Sequence, residues 1–424
     1  MSAHSSGGIF GKIREYSLPL IVGVFAALAA ANWDYEAYHH WVDGVALPFK
    51  ILGHPVTLHF FINDIFMVFF FGVATKEITD AVLPGGALNP MKKAINPLVG
   101  TLGGVFGPVG VYFALTYLWV EDPATREAVA NGWGVPTATD IALAWLCARM
   151  VFGAKHSAVS FLLLLAIADD AIGLGIIAVF YPDPVHPVAP LNLAWVAGAM
   201  LVALAMRKRD VRAWWPYILI AGGISWYGLM MAHLHPALAL VFIVPFLPST
   251  EPTEGLISEE EAERLTAAER ARPPRVPLSD FEHAVKPSVD WGLFLFAFCN
   301  AGVQFGAIGT PTWIVLASLA IGKTLGITLF SGLAVLIGFP LPAGMDMRSL
   351  ATAGLVAGIG LTVALFVCGV AFTDPVLQGE AKMGALLSGG VFLAAVVVGK
   401  LLRIQRVTTD TTPLEGRGEN GPEH

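Results

Sequence analysis

Two adjacent aspartates, Asp169 and Asp170, lie inside an apolar run that extends from Phe161 to Phe180. A carboxylate at the centre of a membrane helix costs at least about 2.5 kcal/mol, so this pair needs a counter-charge, a bound cation or protons. Neighbouring residues on an α-helix point about 100° apart, because each turn takes about 3.6 residues. One carboxylate can therefore meet a fixed partner in the protein while the other faces a cavity. That division suits a site at which a cation competes with protons.

The composition indicates a membrane protein. Of the 424 residues, 55% are hydrophobic and only 13% are charged, whereas a soluble protein has about 25% charged residues. The net charge of −7 gives no indication of nucleic-acid binding. Three cysteines lie in separate apolar segments and are interpreted as small core residues, namely Cys147, Cys299 and Cys368. The fold class predicted from these features is an all-α polytopic membrane protein.

Twelve apolar runs approach the length of about 20 residues that a helix needs to cross a membrane. They cover residues 17–33, 58–78, 95–119, 135–151, 157–181, 191–206, 214–232, 235–249, 286–303, 312–338, 350–372 and 382–402. With this count, 21 of the 25 basic residues fall on one side and three on the other. The positive-inside rule then places both termini in the cytoplasm. Residues 1–406 form one transmembrane domain, with a cytoplasmic linker at 250–285 and a disordered polar tail at 407–424.

Four ionisable residues lie deep within the predicted spans, namely Asp140, Asp169, Asp170 and Lys323. Three carboxylates against one ammonium leave about two charges to be supplied by protons or cations. A structural salt-bridge cluster that never titrates is the alternative, but such clusters usually balance in charge and this one does not. Lys323 is too deep to reach the interface, so Asp169 or Asp170 is its natural partner. Asp64 lies near the outer end of its span and is a candidate for a structural or cavity-entrance residue.

The segment 131–144 interrupts one of the predicted spans. Its glycines suit extended chain, and Pro136 suits the first turn of a helix. We therefore expect extended chain that enters the membrane, followed by a short helix. Thr139 and Asp140 would lie in its first turn, where the positive end of the helix favours a carboxylate.

A second interruption is predicted at Gly358, Gly360 and Thr362, inside the span 350–372. Non-helical backbone at membrane depth is tolerated only where protein or a water-filled cavity surrounds it. One broken span in each half of the chain is typical of the binding site of an inverted-repeat transporter.

Five motifs, in order along the chain, resemble those of the NhaA-type sodium/proton antiporter family. They are Gly-Val-Pro-Thr-Ala-Thr-Asp140, Leu-Ala-Ile-Ala-Asp169-Asp170, Phe-Ala-Phe-Cys-Asn-Ala-Gly302, Ile-Gly-Lys323-Thr-Leu-Gly326 and Gly-Ile-Gly-Leu-Thr362. The resemblance extends over residues 10–405. It implies twelve transmembrane helices with inverted-topology repeats, in which two broken helices cross at the membrane midplane. It also implies a multi-pass location in the bacterial inner membrane.

The resemblance further implies roles for particular residues. Those that would bind the transported cation and protons are Asp170, Asp169, Asp140 and Thr139. Those that would compensate the charges of the opposed helix ends are Asp140 and Lys323, and Lys323 would also pair with Asp169. The candidates for a response to pH are Glu77, Glu282 and His283. Lys286 stands where the family often has a histidine.

The function predicted from these residues is a secondary antiporter, not an enzyme, which exchanges Na+ and Li+ for H+ in pH and sodium homeostasis. The only metal expected is the transported Na+ at Asp169 and Asp170, with no cofactor. One alternative is a sodium-coupled solute symporter of the same broken-helix fold, which needs a larger polar cavity. The other is an intramembrane aspartyl protease built on Asp140 and Asp170, although the usual sequence contexts of such enzymes are absent here. The lipid bilayer is the expected partner, nucleic acid is not, and a homodimer is left open.

Overall fold

A computed structural model describes residues 17–83, 86–88, 91–183, 186–249 and 276–407, without the side chains of 91–93. The tail from residue 408 onward and linker residues 250–275 lie outside the described residues. A helix begins at Pro277, inside the range predicted as linker, so the linker ends earlier than predicted.

The described chain is mainly helical, and besides a short helix at Tyr35–His39 it has fourteen longer helical segments. They are α1 (Leu18–Trp33), α2 (Leu58–Val82), α3 (Met91–Trp119), α4 (Pro123–Thr137), α5 (Ile141–Phe152), α6 (Ser157–Phe180), α7 (Pro190–Lys208), α8 (Tyr217–Ala232), α9 (Pro236–Phe246), α10 (Pro277–Asn300), α11 (Thr310–Leu336), α12 (Met347–Ala357), α13 (Leu361–Ala371) and α14 (Pro375–Leu401). Between α1 and α2, β1 (Ala46–Ile51) pairs antiparallel with β2 (His54–Thr57). Their two-residue turn, Leu52 and Gly53, has positive φ at both positions, as a type I′ turn requires.

Six of the described helices are long and apolar enough to cross a membrane, namely α2, α3, α6, α7, α11 and α14. Counting each of the bent pairs α4/α5 and α12/α13 as one span gives up to eight. The shorter apolar helices α1, α8 and α9, and the 24-residue α10, coincide with the other predicted spans. The all-α polytopic fold is thus confirmed, whereas the total of twelve spans stays a prediction.

The first break differs in detail from the prediction. The chain approaches it as the helix α4, and only residues 138–140 are extended. Asp140 is the residue that caps α5, not a member of its first turn. A tertiary contact accounts for the difference. The hydroxyl of Tyr181 accepts from the Gly134 N–H at 2.7 Å and donates to the Asn131 carbonyl at 2.8 Å, which favours a 3₁₀ turn over extended chain.

The second break lies where it was predicted, at Gly358 and Gly360 between α12 and α13. The chain bends by 56° between α4 and α5 and by 47° between α12 and α13. The two breaks touch, because the Asp140 N–H donates to the Ile359 carbonyl at 2.7 Å. A Cβ at Gly358 would lie 2.6 Å from the Leu319 carbonyl oxygen, so only glycine allows α11 to approach this closely.

Helices α3 and α11 pack backbone to backbone through small residues spaced four apart. A Cβ on Gly103 would lie 2.1 Å from the Gly326 carbonyl oxygen, and a Cβ on Gly107 would lie 2.3 Å from that of Gly322. Such small-residue interfaces let membrane helices approach closely and pack well without a hydrophobic driving force. The contact fixes α11 against α3, and with it the position of Lys323, which follows Gly322 directly.

Candidate ion-binding site

A buried ion pair occupies the centre of the site. Asp169 and Lys323 are both 0% exposed, and their charged groups are in direct contact. Lys323 Nζ also donates to Thr139 Oγ1 at 2.7 Å. Thr139 Oγ1 in turn lies 2.8 Å from Asp169 Oδ2 and 2.9 Å from the Ala357 carbonyl oxygen. Because a hydroxyl has one proton, Thr139 donates to only one of these acceptors at a time.

Asp140 joins the two broken helices. Its Oδ1 accepts from the Leu143 N–H at 3.0 Å and so caps α5. Its Oδ2 accepts from Thr362 twice, from the hydroxyl at 3.0 Å and from the N–H at 3.3 Å. Thr362 lies in the first turn of α13. One buried carboxylate therefore caps the N-termini of two helices.

The charges match the helix ends that they face. A helix N-terminus carries about +0.5 of an elementary charge and a C-terminus about −0.5. Asp140 faces the N-termini of α5 and α13, as described above. Lys323 is linked through Thr139 to the Ala357 carbonyl, at the C-terminal end of α12. Charge compensation by Asp140 and Lys323 is compatible with this placement and stays a prediction.

Asp170 faces a cavity of about 540 Å³, here called the inner cavity. Its lining includes Glu77, Thr139, Asp140, Asp170, Lys286 and Thr362. Oδ1 of Asp170 and Oδ1 of Asp169 are buried and have no hydrogen-bond partner among the described residues. The two aspartates thus divide as their spacing predicted, with Asp169 against a fixed ammonium and Asp170 toward the cavity.

A second charged cluster includes Glu77 and Lys286, which also line the inner cavity. Lys286 Nζ is 3.2 Å from Glu77 Oε1 and 3.0 Å from Glu282 Oε1. Lys76 contacts the same Glu282 and lies 2.7 Å from Asp80 Oδ2. Two of the three predicted pH-response residues, Glu77 and Glu282, are therefore joined through one lysine.

His283 is not brought into this cluster. Its Nδ1 lies 2.8 Å from the Ser279 carbonyl oxygen, one turn back on the same helix, and the residue is exposed. No role was predicted for Lys76, or for Asp290, which lines the inner cavity. The signal available for Lys76 was its i,i+4 spacing to Asp80, since such pairs lie on one helix face.

Two broken helices in contact, a buried ion pair beside them and a carboxylate open to a cavity define a secondary transporter of the broken-helix class. The chain belongs to the Na+/H+ antiporter 1 family, whose model matches residues 10–402. It is therefore a multi-pass membrane transporter and not an enzyme.

Three relatives are similar to this protein over nearly its whole length. The Na(+)/H(+) antiporter NhaA of Geobacter metallireducens is 55% identical over 395 residues, which cover 93% of this chain and 98% of the relative. That of Desulfitobacterium hafniense is 55% identical over 396 residues, with 93% and 96% covered. The protein of the same name from Jannaschia sp. is 43% identical over 428 residues, with 94% and 99% covered. The family predicted from five short motifs is confirmed.

Proposed function

We propose that this protein exchanges Na+ for H+ across the membrane, with Asp170 as the residue for which the two ions compete. The observation that supports this most directly is the division of the adjacent aspartates. Asp169 has an ammonium partner, whereas Asp170 lines the inner cavity, and its buried Oδ1 has no hydrogen-bond partner among the described residues. A carboxylate in such a place binds a proton or a cation, and binding one displaces the other.

The neighbouring oxygens suit a small hard cation, which prefers carboxylate, carbonyl and hydroxyl ligands. Asp169 and Thr139 supply such atoms beside Asp170, and Lys323 holds Asp169 while no cation is bound. A cation that engages both aspartates competes with Lys323 for Asp169. The lysine keeps its contact with Thr139 in that case, so a change in charge at the aspartates is felt at the break where Thr139 lies and at the Ala357 carbonyl of the other break. This is the proposed link between ion binding and a change in the side to which the site opens.

The proposal includes Li+ as a second substrate, because the same oxygen ligands suit it, and a role in pH and sodium homeostasis at the bacterial inner membrane. The distribution of basic residues supports cytoplasmic termini, and this orientation places the inner cavity on the cytoplasmic side. Glu77 and Glu282, joined through Lys286, are proposed to take part in the response to pH, with the exposed His283 nearby. A homodimer is proposed through the β1–β2 hairpin, where Leu47 and Phe49 are exposed.

Na+-induced proton movement in everted membrane vesicles over a pH series tests the function. Asp170→Asn should abolish the signal while the protein still inserts, and Asp169→Asn should have a smaller effect. Glu127→Gln, which removes an exposed carboxylate from α4 outside the site, is the control and should behave as wild type. Near-normal exchange in Asp170→Asn would exclude Asp170 as the cation ligand. Absence of exchange in the wild type over the whole series would exclude the proposed function.

A further inference from the structure

A second cavity, of about 660 Å³, lies at the opposite end of α2 from the inner cavity and is here called the outer cavity. Its lining includes Asp64, Tyr181, His235, Asn300 and Phe366. Helix α2 has Asp64 in the outer cavity near its start and Glu77 in the inner cavity near its end. The two cavities therefore open toward opposite faces of the membrane.

Aromatic side chains separate the outer cavity from Asp170. Phe71 and Phe366 are 1% and 2% exposed and pack edge to face with ring centroids 5.2 Å apart. Phe366 borders the outer cavity, whereas Phe71 borders a void of about 10 Å³ beside Asp170, which has room for about one water molecule. The aromatic contact therefore lies between the surroundings of Asp170 and the outer cavity.

Asp64 is one of two carboxylates that line the outer cavity. Its carboxylate has no hydrogen-bond or ion-pair partner among the described residues. Asp183, the other carboxylate that lines this cavity, lies 2.8 Å from His186 Nδ1. An unpaired carboxylate at the end of a membrane span is costly and marks functional positions more often than structural ones.

The backbone around Asp64 is held rigidly although its carboxylate is not. Residues Phe61–Phe66 form a π-helical turn, a feature found frequently at functional sites. The Asp64 carbonyl accepts from Trp226 Nε1 at 2.7 Å. The amides of Asn63 and Asn300 bond each other in both directions, at 3.0 and 3.3 Å. The neighbouring amides are thus engaged with each other, whereas the Asp64 carboxylate, which also lines the cavity, has no partner among the described residues.

We propose that Asp64 forms a second, weaker site for the transported monovalent cation, in the outer cavity between Asp170 and the extracytoplasmic side. The proposal rests on the proposed Na+/H+ exchange. One carboxylate with water makes a weak site, and a transport pathway needs binding that is strong enough to admit an ion and weak enough to release it. Such a site acts only on the exchange of cations with the outer face, because the aromatic contact separates it from the inner cavity.

The test compares the two faces of the membrane. In right-side-out vesicles loaded with acid, Na+ reaches the protein from the extracytoplasmic side, and in everted vesicles from the cytoplasmic side. Asp64→Asn should raise KM for Na+ about fivefold in right-side-out vesicles, the effect of one unit charge at about 4 Å in a water-filled site. KM in everted vesicles should stay at the wild-type value. The outer effect should shrink as choline chloride is added, because salt screens it.

Asp64→Glu, which keeps the charge, should retain a near-normal outer KM, and Asp64→Ser is the second substitution should the asparagine variant not insert. Glu36→Gln removes an exposed carboxylate from the same face without lining the cavity, and should change neither KM. An unchanged outer KM in Asp64→Asn, or an equal rise on both faces, would overturn the outer site. Failure of the wild type to exchange ions in either preparation would instead overturn the proposed function.

Discussion

Replacing Lys323 should destabilise the protein by more than the lost packing of its side chain accounts for. The reason is that Asp169 then stays buried without a counter-charge. Both residues are 0% exposed, so water cannot replace the lost partner without rearrangement. Breaking one side of a buried ion pair costs roughly 3–5 kcal/mol. We therefore expect Lys323→Met to lower the free energy of unfolding by about that amount. It should also lower Na+-driven proton movement, since Thr139 loses the donor at 2.7 Å.

The informative comparison is with the double variant Lys323→Met/Asp169→Leu. Replacing both partners of a buried pair with apolar residues is often neutral or stabilising. The double variant should therefore be more stable than Lys323→Met alone, although it is inactive. Lys400→Met, at an exposed lysine in the last turn of α14, should change stability by no more than about 0.5 kcal/mol.

The assay is unfolding of purified protein in detergent, by heat and by denaturant, for the wild type, both single variants, the double variant and Lys400→Met. The coupling free energy follows from the double-mutant cycle. If the losses from Lys323→Met and Asp169→Leu simply add, the pair contributes no coupling and the reasoning from burial is wrong.

Three further predictions concern the elements that hold the site. Asp140→Ala removes the cap shared by α5 and α13 and should cost about 1–2 kcal/mol per helix end in the same unfolding assay. Gly103→Ala places a Cβ 2.1 Å from the Gly326 carbonyl oxygen and should lower the free energy of unfolding by about 1–3 kcal/mol. Its control is Gly110→Ala on the same helix, where a Cβ meets nothing within 4 Å, and this variant should be as stable as the wild type or slightly more stable. Burial lowers the pKa of His156, which caps α6 through Nδ1. Since the pKa in the folded state lies below the unfolded value of about 6.5, the free energy of unfolding should fall as the pH drops below about 6.5. In His156→Asn the contribution of this histidine is absent, so the difference in melting temperature between pH 8 and pH 5 should be smaller than in the wild type.

The sequence predicted those parts of the site that follow from local backbone rules and from charge counting. Gly358 and Gly360 are poor helix residues at membrane depth, and the structure has a break there. The division of Asp169 and Asp170 follows from the geometry of any α-helix. The need for a partner to Lys323 follows from the cost of burying a charge, whichever helix supplies that partner.

The parts that could not be predicted depend on contacts between distant segments. The residues before Asp140 contain glycines that suit extended chain, yet the hydroxyl of Tyr181, more than 40 residues later, holds them in a 3₁₀ turn. The contact of Lys76 with Glu282 joins α2 to α10 across more than 200 residues. The cost of burying a charge left both Asp169 and Asp170 open as the partner of Lys323, and only the family resemblance pointed to Asp169, because the packing of three helices decides between them.

The arrangement of charges around the two breaks supports the proposal that protons and cations are exchanged at Asp169 and Asp170 and not at Asp140 or Lys323. The two N-termini that Asp140 caps together carry about +1, which its carboxylate offsets. The C-terminal helix ends at the two breaks carry about −1 together, and Lys323 is tied to one of them through Thr139. The charges of the four helix ends, Asp140 and Lys323 therefore sum to about zero. The two negative charges that remain are those of Asp169 and Asp170. Both aspartates belong to α6, so binding and release of ions at this site change the charge of that helix. The Asp140 carboxylate that caps α5 and α13 keeps its charge and its hydrogen bonds.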